Sequence, residues 1–121
     1  MNLNELQHYV DAVDPTTLNR ESLLELNLLA EELTRRKTQE GCREDFLKFV
    51  KYAWSSFIEG RHHQIIAEKF NRIARGELKR VIINMPPRHT KSEFASYLLP
   101  AWILGLKPDL KIIQATHTGE L

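Results

Sequence analysis

The stretch Arg80-Val81-Ile82-Ile83-Asn84-Met85-Pro86-Pro87-Arg88-His89-Thr90-Lys91-Ser92-Glu93 decides how the chain is read. Val81-Ile82-Ile83 is a β-branched run and reads as a buried strand. Met85 to Thr90 cannot be regular structure, because Pro86 and Pro87 lack a backbone donor. A helix is expected from about Lys91, with Ala95, Leu98, Leu99, Trp102 and Ile103 on its inner face. Pro100 should kink that helix, and Gly105 and Pro108 should close it. Lys111-Ile112-Ile113-Gln114-Ala115 then reads as a second strand. A Lys-Ser pair opening a helix after a strand and a short loop is where a phosphate-binding loop belongs. The free amides and dipole of a first helical turn favour an anion there. Lys91 would reach the β- and γ-phosphates and the Ser92 hydroxyl would ligate magnesium. The general pattern G-x-x-x-x-G-K-[ST] is met only at its end, since Met85 and Thr90 stand at the two glycine positions.

Upstream the periodicity is helical. Asp14-Pro15 and Asn19 are helix-start signals. Leu23, Leu26, Leu29, Ala30 and Leu33 share one face, with Glu21 and Glu25 early and Arg35, Arg36 and Lys37 late, as the helix dipole favours. Gly41 is expected to break this helix. A second starts near Arg43 and carries Phe46, Phe49, Val50, Ala53, Trp54 and Phe57 to Gly60, the strongest amphipathic signal in the chain. A third runs from about His63 to Ala74, with Ile66, Phe70, Ile73 and Ala74 on one face, and stops at Gly76. The expected fold is therefore α/β. A helical segment over residues 1–42 precedes residues 43–121, where strand, loop, helix and strand begin a parallel sheet.

The 121 residues allow one domain at most. The net charge of +1 gives no general argument for nucleic-acid binding, so any such contact needs a local patch. Lys69, Arg72, Arg75, Lys79 and Arg80 are the candidates, and a solvated helical face is the simpler account of them. With one cysteine, Cys42, a disulfide framework and a cysteine-based zinc site are both excluded within the chain. The residues Met1 to Glu5 do not form a secretory leader. The longest apolar run, Tyr97 to Leu104, falls well short of the ~20 residues a membrane span needs.

The segment from Arg80 to Glu93 resembles the Walker A region of tailed-phage large terminases, the ATPases that package DNA. Members show a hydrophobic strand, then Pro-Pro-Arg-His, a small residue, Lys-Ser and Glu. The likeness extends upstream through Gly60-Arg61-His62-His63-Gln64-Ile65-Ile66-Ala67-Glu68 and Ala74-Arg75-Gly76-Glu77. It extends downstream through Leu99-Pro100-Ala101-Trp102-Ile103-Leu104-Gly105 and Ala115-Thr116-His117-Thr118, covering the chain from about Asp45 onward. The resemblance implies a partial phosphate-loop, RecA-like core behind a helical preface, stopping after its second strand. It implies ATP and Mg2+ as cofactors, and an ATPase and nuclease activity for a complete parent protein. Double-stranded viral DNA, the portal protein and a small terminase subunit are the implied partners. A ring on the portal in the host cytoplasm is the implied setting, with no membrane association.

Residue by residue, Lys91 matches the Walker A lysine and Ser92 the magnesium ligand. Arg88 matches an arginine the family carries in this loop, where its charge could offset charge developing on the γ-phosphoryl group. The backbone of His89 and Thr90 completes the implied nucleotide cradle. Thr90 departs from the glycine of many relatives, which bears on nucleotide affinity. His62, His63 and Gln64 lie where relatives read the adenine; by themselves, adjacent histidines can simply start a helix. The magnesium-holding Asp-Glu strand of the family has no counterpart in these residues. In the implied strand order the two runs Val81–Ile83 and Ile112–Ala115 are not neighbours, and each would lack its ladder partner. Two other readings use the same residues. One is a different phosphate-loop enzyme, such as a helicase, kinase or sulfotransferase. The other is a non-catalytic helical module, in which helices between Asn19 and Phe57 bind a partner and the loop is a relic.

Overall fold

The structure, a computed structural model, describes residues 1–116. The regular elements are α1 (Leu3–Ala12), a short 3-10 turn (Pro15–Thr17), α2 (Arg20–Glu44), α3 (Phe46–Ala53), α4 (Arg61–Ala74), a π-helical turn (Glu93–Leu98) and α5 (Leu99–Leu106). No strand is present among the described residues, and the expectation of an α/β, RecA-like core is thereby overturned. Val81–Ile83 and Ile112–Ala115 have no ladder. Ile82 is 89% exposed and Ile113 95% exposed. The physical reason is that a strand is not a local structure. Its N–H and C=O groups are satisfied only by a neighbouring strand, and neither run lies against one. His117 and Thr118, which closed the family resemblance, lie outside the described residues.

The chain divides into two compact units, Met1–Gly41 and Cys42–Leu121. In the first, Asn2 and Glu5 form a capping box at the start of α1: the Asn2 side chain accepts from the Glu5 N–H at 2.8 Å, and Glu5 accepts from the Asn2 N–H at 2.9 Å. Arg36 of α2 donates to the Met1 carbonyl at 3.0 Å, and Lys37 donates to Gln7. Leu6 and Leu33 are the buried side chains of this unit.

The second unit holds the main core, formed by Phe46, Val50, Ile66, Ala67, Phe70, Phe94 and Trp102. Phe46 has no exposed surface and sits at its centre. Its ring meets Phe70 of α4 at 5.2 Å, Phe94 of the π-turn at 5.4 Å and Trp102 of α5 at 5.5 Å, all edge-on. Such pairs add to plain area burial. Polar clamps fix the start of α3. Asn71 of α4 accepts from the Phe46 N–H at 2.8 Å and donates to Asp45 at 2.8 Å, while Asp45 caps α3 through the Leu47 N–H. The Trp102 indole donates to the Cys42 carbonyl at 2.6 Å.

Three features of the helices differ from the sequence reading. First, α2 runs through Gly41 to Glu44. A helical glycine costs only about 1 kcal/mol, and burial of Cys42 with the indole bond to its carbonyl offsets that. Second, α3 stops at Ala53 instead of continuing to Gly60. Trp54 leaves helical geometry and its indole bonds the Ser56 hydroxyl at 2.8 Å. The chain turns there, and Phe57 lands on His63 and Phe94. Third, the helix after the loop widens into a π-turn before Pro100. The Leu99 N–H reaches back to the Phe94 carbonyl, five residues away. Proline at the second position of α5 then needs no donor. The carbonyl that residue 100 would have bonded in an α-helix is that of Ser96, and it accepts the Gln114 side-chain amide at 2.6 Å.

Truncating the central ring is the sharpest test of this packing. Phe46→Ala should destabilise the chain by about 3–5 kcal/mol, an amount that approaches the whole stability of a typical small domain. Chemical denaturation followed by tryptophan fluorescence measures it. A loss under about 1 kcal/mol would show that the aromatic cluster is not the organising core.

Candidate phosphate-binding loop

The loop from Pro86 to Thr90 is held in an unusual backbone conformation. Arg88 has φ 63° and Thr90 φ 61°, the non-glycine residues with positive φ among those described. A β-branched residue there is a true outlier, and such conformations cost on the order of 1–3 kcal/mol each. Left-handed residues are how short loops turn successive N–H groups to one side, as in anion-binding nests. Thr90 stands where the phosphate-loop pattern calls for glycine, and its backbone adopts the conformation that glycine would adopt freely.

Thr90 also begins the helix, its carbonyl accepting from the Phe94 N–H at 3.0 Å. A threonine in that place ordinarily caps the first amides with its hydroxyl. Here the hydroxyl is engaged elsewhere: it donates to the His89 carbonyl at 2.6 Å and lies 2.6 Å from His63 Nε2. Among the described residues, the Lys91 and Ser92 N–H groups donate to no protein acceptor. Arg88 and Lys91 form no ion pair among the described residues either, and both are exposed. Arg88, Thr90, Lys91 and Ser92 line one concave space of about 640 Å3, which Tyr97 and Glu93 also border. The donor set is cationic and amide-rich, and it suits an anion carrying several oxygens.

His63 is the buried polar residue of the core, 5% exposed. Its Nδ1 accepts from the Gly60 N–H at 2.8 Å. The other ring nitrogen therefore carries the proton, and Nε2–H donates to Thr90. Phe57 and Phe94 flank the ring at 4.8 and 5.0 Å. Gly60 caps α4 under close constraint: a Cβ there would stand 2.9 Å from His62 Cε1. The sequence reading offered His63 and Gln64 as base-reading groups. The structure places His63 inside the core with both nitrogens engaged. Gln64 is exposed and donates to Glu59 at 2.8 Å, and Glu59 also pairs with Lys51. His89 is exposed, its Nδ1 bonding the Pro87 carbonyl at 2.9 Å. His62 packs against His63 at 3.8 Å and faces His89 at 5.7 Å.

No group of three or more His, Cys, Asp or Glu side chains is arranged to hold a metal ion among the described residues. Magnesium is commonly held by one or two protein ligands with phosphate oxygens and water, and of the residues bordering the concave space the Ser92 hydroxyl is the one the phosphate-loop pattern assigns to it. The basic helical surface named above is laced with acid: Lys69 and Arg72 meet Glu68, and Arg72 and Arg75 meet Glu77. No described helix is long and apolar enough to cross a membrane. The contribution of Gly60 and Phe57 was not visible in the sequence; a glycine three residues before a histidine was the one available signal. Comparisons with protein-family models, with curated proteins and with solved structures each found no match to the chain.

Burial, more than the neighbouring His62, holds His63 below the ordinary histidine value of 6.5, while Glu59 pulls weakly the other way. The unfolded chain thus takes up a proton near pH 6.5 that the folded chain refuses, so this contribution to stability is intact above that pH and is lost as pH falls through the folded value. The lowered carboxylates, such as Glu59 held down chiefly by Lys51, act further into acid. The melting temperature should fall between pH 7.5 and pH 5.5, and His63→Gln should flatten that slope. An unchanged slope in the variant would assign the pH dependence elsewhere.

Proposed function

We propose that the loop from Pro86 to Ser92 binds the phosphates of a nucleoside triphosphate, and that the chain is the ATP-binding part of a terminase large subunit, the motor that packages viral DNA into procapsids. The observation that carries this reading is the unpartnered pair of amides at Lys91 and Ser92, set beside two cationic side chains on one concave surface. The left-handed backbone at Arg88 and Thr90 supports it, because a tight phosphate loop requires such residues. The sequence resemblance supplies the rest: ATP as the nucleotide, with double-stranded DNA, portal protein and small terminase subunit as partners of the ring.

In this reading Lys91 pairs with the terminal phosphates as a mobile point charge. Arg88, with its planar fork, contacts phosphoryl oxygens in a bidentate manner. Ser92 is the residue whose hydroxyl would hold a magnesium ion brought in with the nucleotide. The bound metal supplies charge neutralisation on the phosphate oxygens.

A second reading has its own observation. On α2, Leu24 is 58% and Leu28 66% exposed, one turn apart, and Leu23 is 38% exposed beside them. A chain whose regular elements are all helical among the described residues, with such a face, suits a non-catalytic module that docks a partner helix.

The two readings separate experimentally. Calorimetric titration of the intact chain with Mg-ATP should show one site that inorganic triphosphate competes for. Lys91→Ala should weaken it about tenfold or more, equivalent to at least about 1.4 kcal/mol, and Arg88→Ala should weaken it too. Saturable capture of portal protein or small terminase subunit that is lost on Leu24→Asp with Leu28→Asp, together with no nucleotide binding, would instead establish the docking module.

A further inference from the structure

Positive φ at Thr90 needs an explanation, because threonine gains nothing from the left-handed region by itself. What distinguishes this threonine is where its hydroxyl goes. It accepts from His63 Nε2–H and donates to the His89 carbonyl, both at 2.6 Å. His63 is fixed in turn from the opposite side by the Gly60 N–H, and its ring is wedged between Phe57 and Phe94 in the core. A continuous chain of donors therefore runs from the start of α4 through the imidazole and the hydroxyl into the loop. A glycine at position 90 could adopt the same backbone, but nothing would hold it there.

We propose that His63 is a positioning residue which, through Thr90, latches the loop in its anion-receiving shape, so that the His63–Thr90 pair does the work that glycine does in an ordinary phosphate loop. The inference deepens the proposed phosphate site and rests on it. The latch has a second consequence for the site. By drawing the Thr90 hydroxyl toward α4, it prevents that hydroxyl from capping the first helical turn, and leaves the Lys91 and Ser92 amides for a ligand. The same role explains why a polar ring is buried here: both its nitrogens are used, one to hold and one to be held.

The test is a double-mutant cycle on the intact chain, read with inorganic triphosphate as probe and with the NMR carbon shifts and HN–Hα coupling of residue 90. His63→Ala should weaken triphosphate binding by about tenfold in the Thr90 protein, and by less than about twofold once Thr90→Gly is present. Equal weakening in both backgrounds would mean a general structural role and would overturn the latch. Should His63→Ala not fold, Thr90→Val removes both hydroxyl bonds without touching the core. The positive-φ signature at position 90 should vanish in Thr90→Val and survive in Thr90→Ser; its persistence in Thr90→Val sinks the proposal. The spectral readout needs no ligand. A wild-type chain that shows the signature, loses it in Thr90→Val, and binds no triphosphate keeps the latch and defeats the phosphate-site reading.

Discussion

A single buried ring organises the second unit of this chain. Phe46 lies at the start of α3 and touches an aromatic side chain from each element that surrounds it: Phe70, Phe94 and Trp102. Because Phe94 is two residues beyond Ser92, its contact with Phe46 fixes the beginning of the helix that carries Lys91 and Ser92. The loop before it thus inherits its position from the core. Asn71 adds direction to this apolar contact, bonding both the Phe46 amide and Asp45 so that α3 can begin in one place relative to α4. Apolar packing supplies most of the energy, and the amide clamp supplies the register.

The loop shows how strain can be carried by neighbours. Two left-handed residues in three positions are unfavourable on their own, and the chain does not use glycine to relieve them. A hydrogen bond from His63 and others to the carbonyls of Pro87 and His89 stand in its place. The cost of this solution is a buried imidazole that must stay neutral. Its reward is a helix start with free amides flanked by Arg88 and Lys91, an electrostatic arrangement that favours anions before any ligand arrives.

The apolar runs around Ile82 and Ile113 mark the opposite situation. Their composition suits strands, yet they form no regular structure, and these two side chains are almost fully in water. Composition describes what a segment can pair with and says nothing of whether a partner is there. Helices close their hydrogen bonds within one segment, so α3 and α4 form wherever their apolar faces find the core. The same logic accounts for the anchoring of the last described residues, where Gln114 reaches the Ser96 carbonyl that Pro100 cannot serve.

Local periodicity was enough to locate the apolar face of α3 through Phe46, Phe49 and Val50 and that of α4 through Ile66 and Phe70. The residue types of Arg88 to Ser92 were enough to mark an irregular loop running into a helix start, because helical spacing and backbone donor counts are properties of short segments. The long-range contacts could not be read in this way. The passage of α2 through Gly41, the end of α3 at Trp54, the absence of a ladder at Val81–Ile83 and the burial of His63 against Thr90 all depend on groups far apart in the chain. Each was settled by which side chain or backbone group happened to be within bonding distance after packing, and that is a question about three dimensions that the order of residues poses but does not answer.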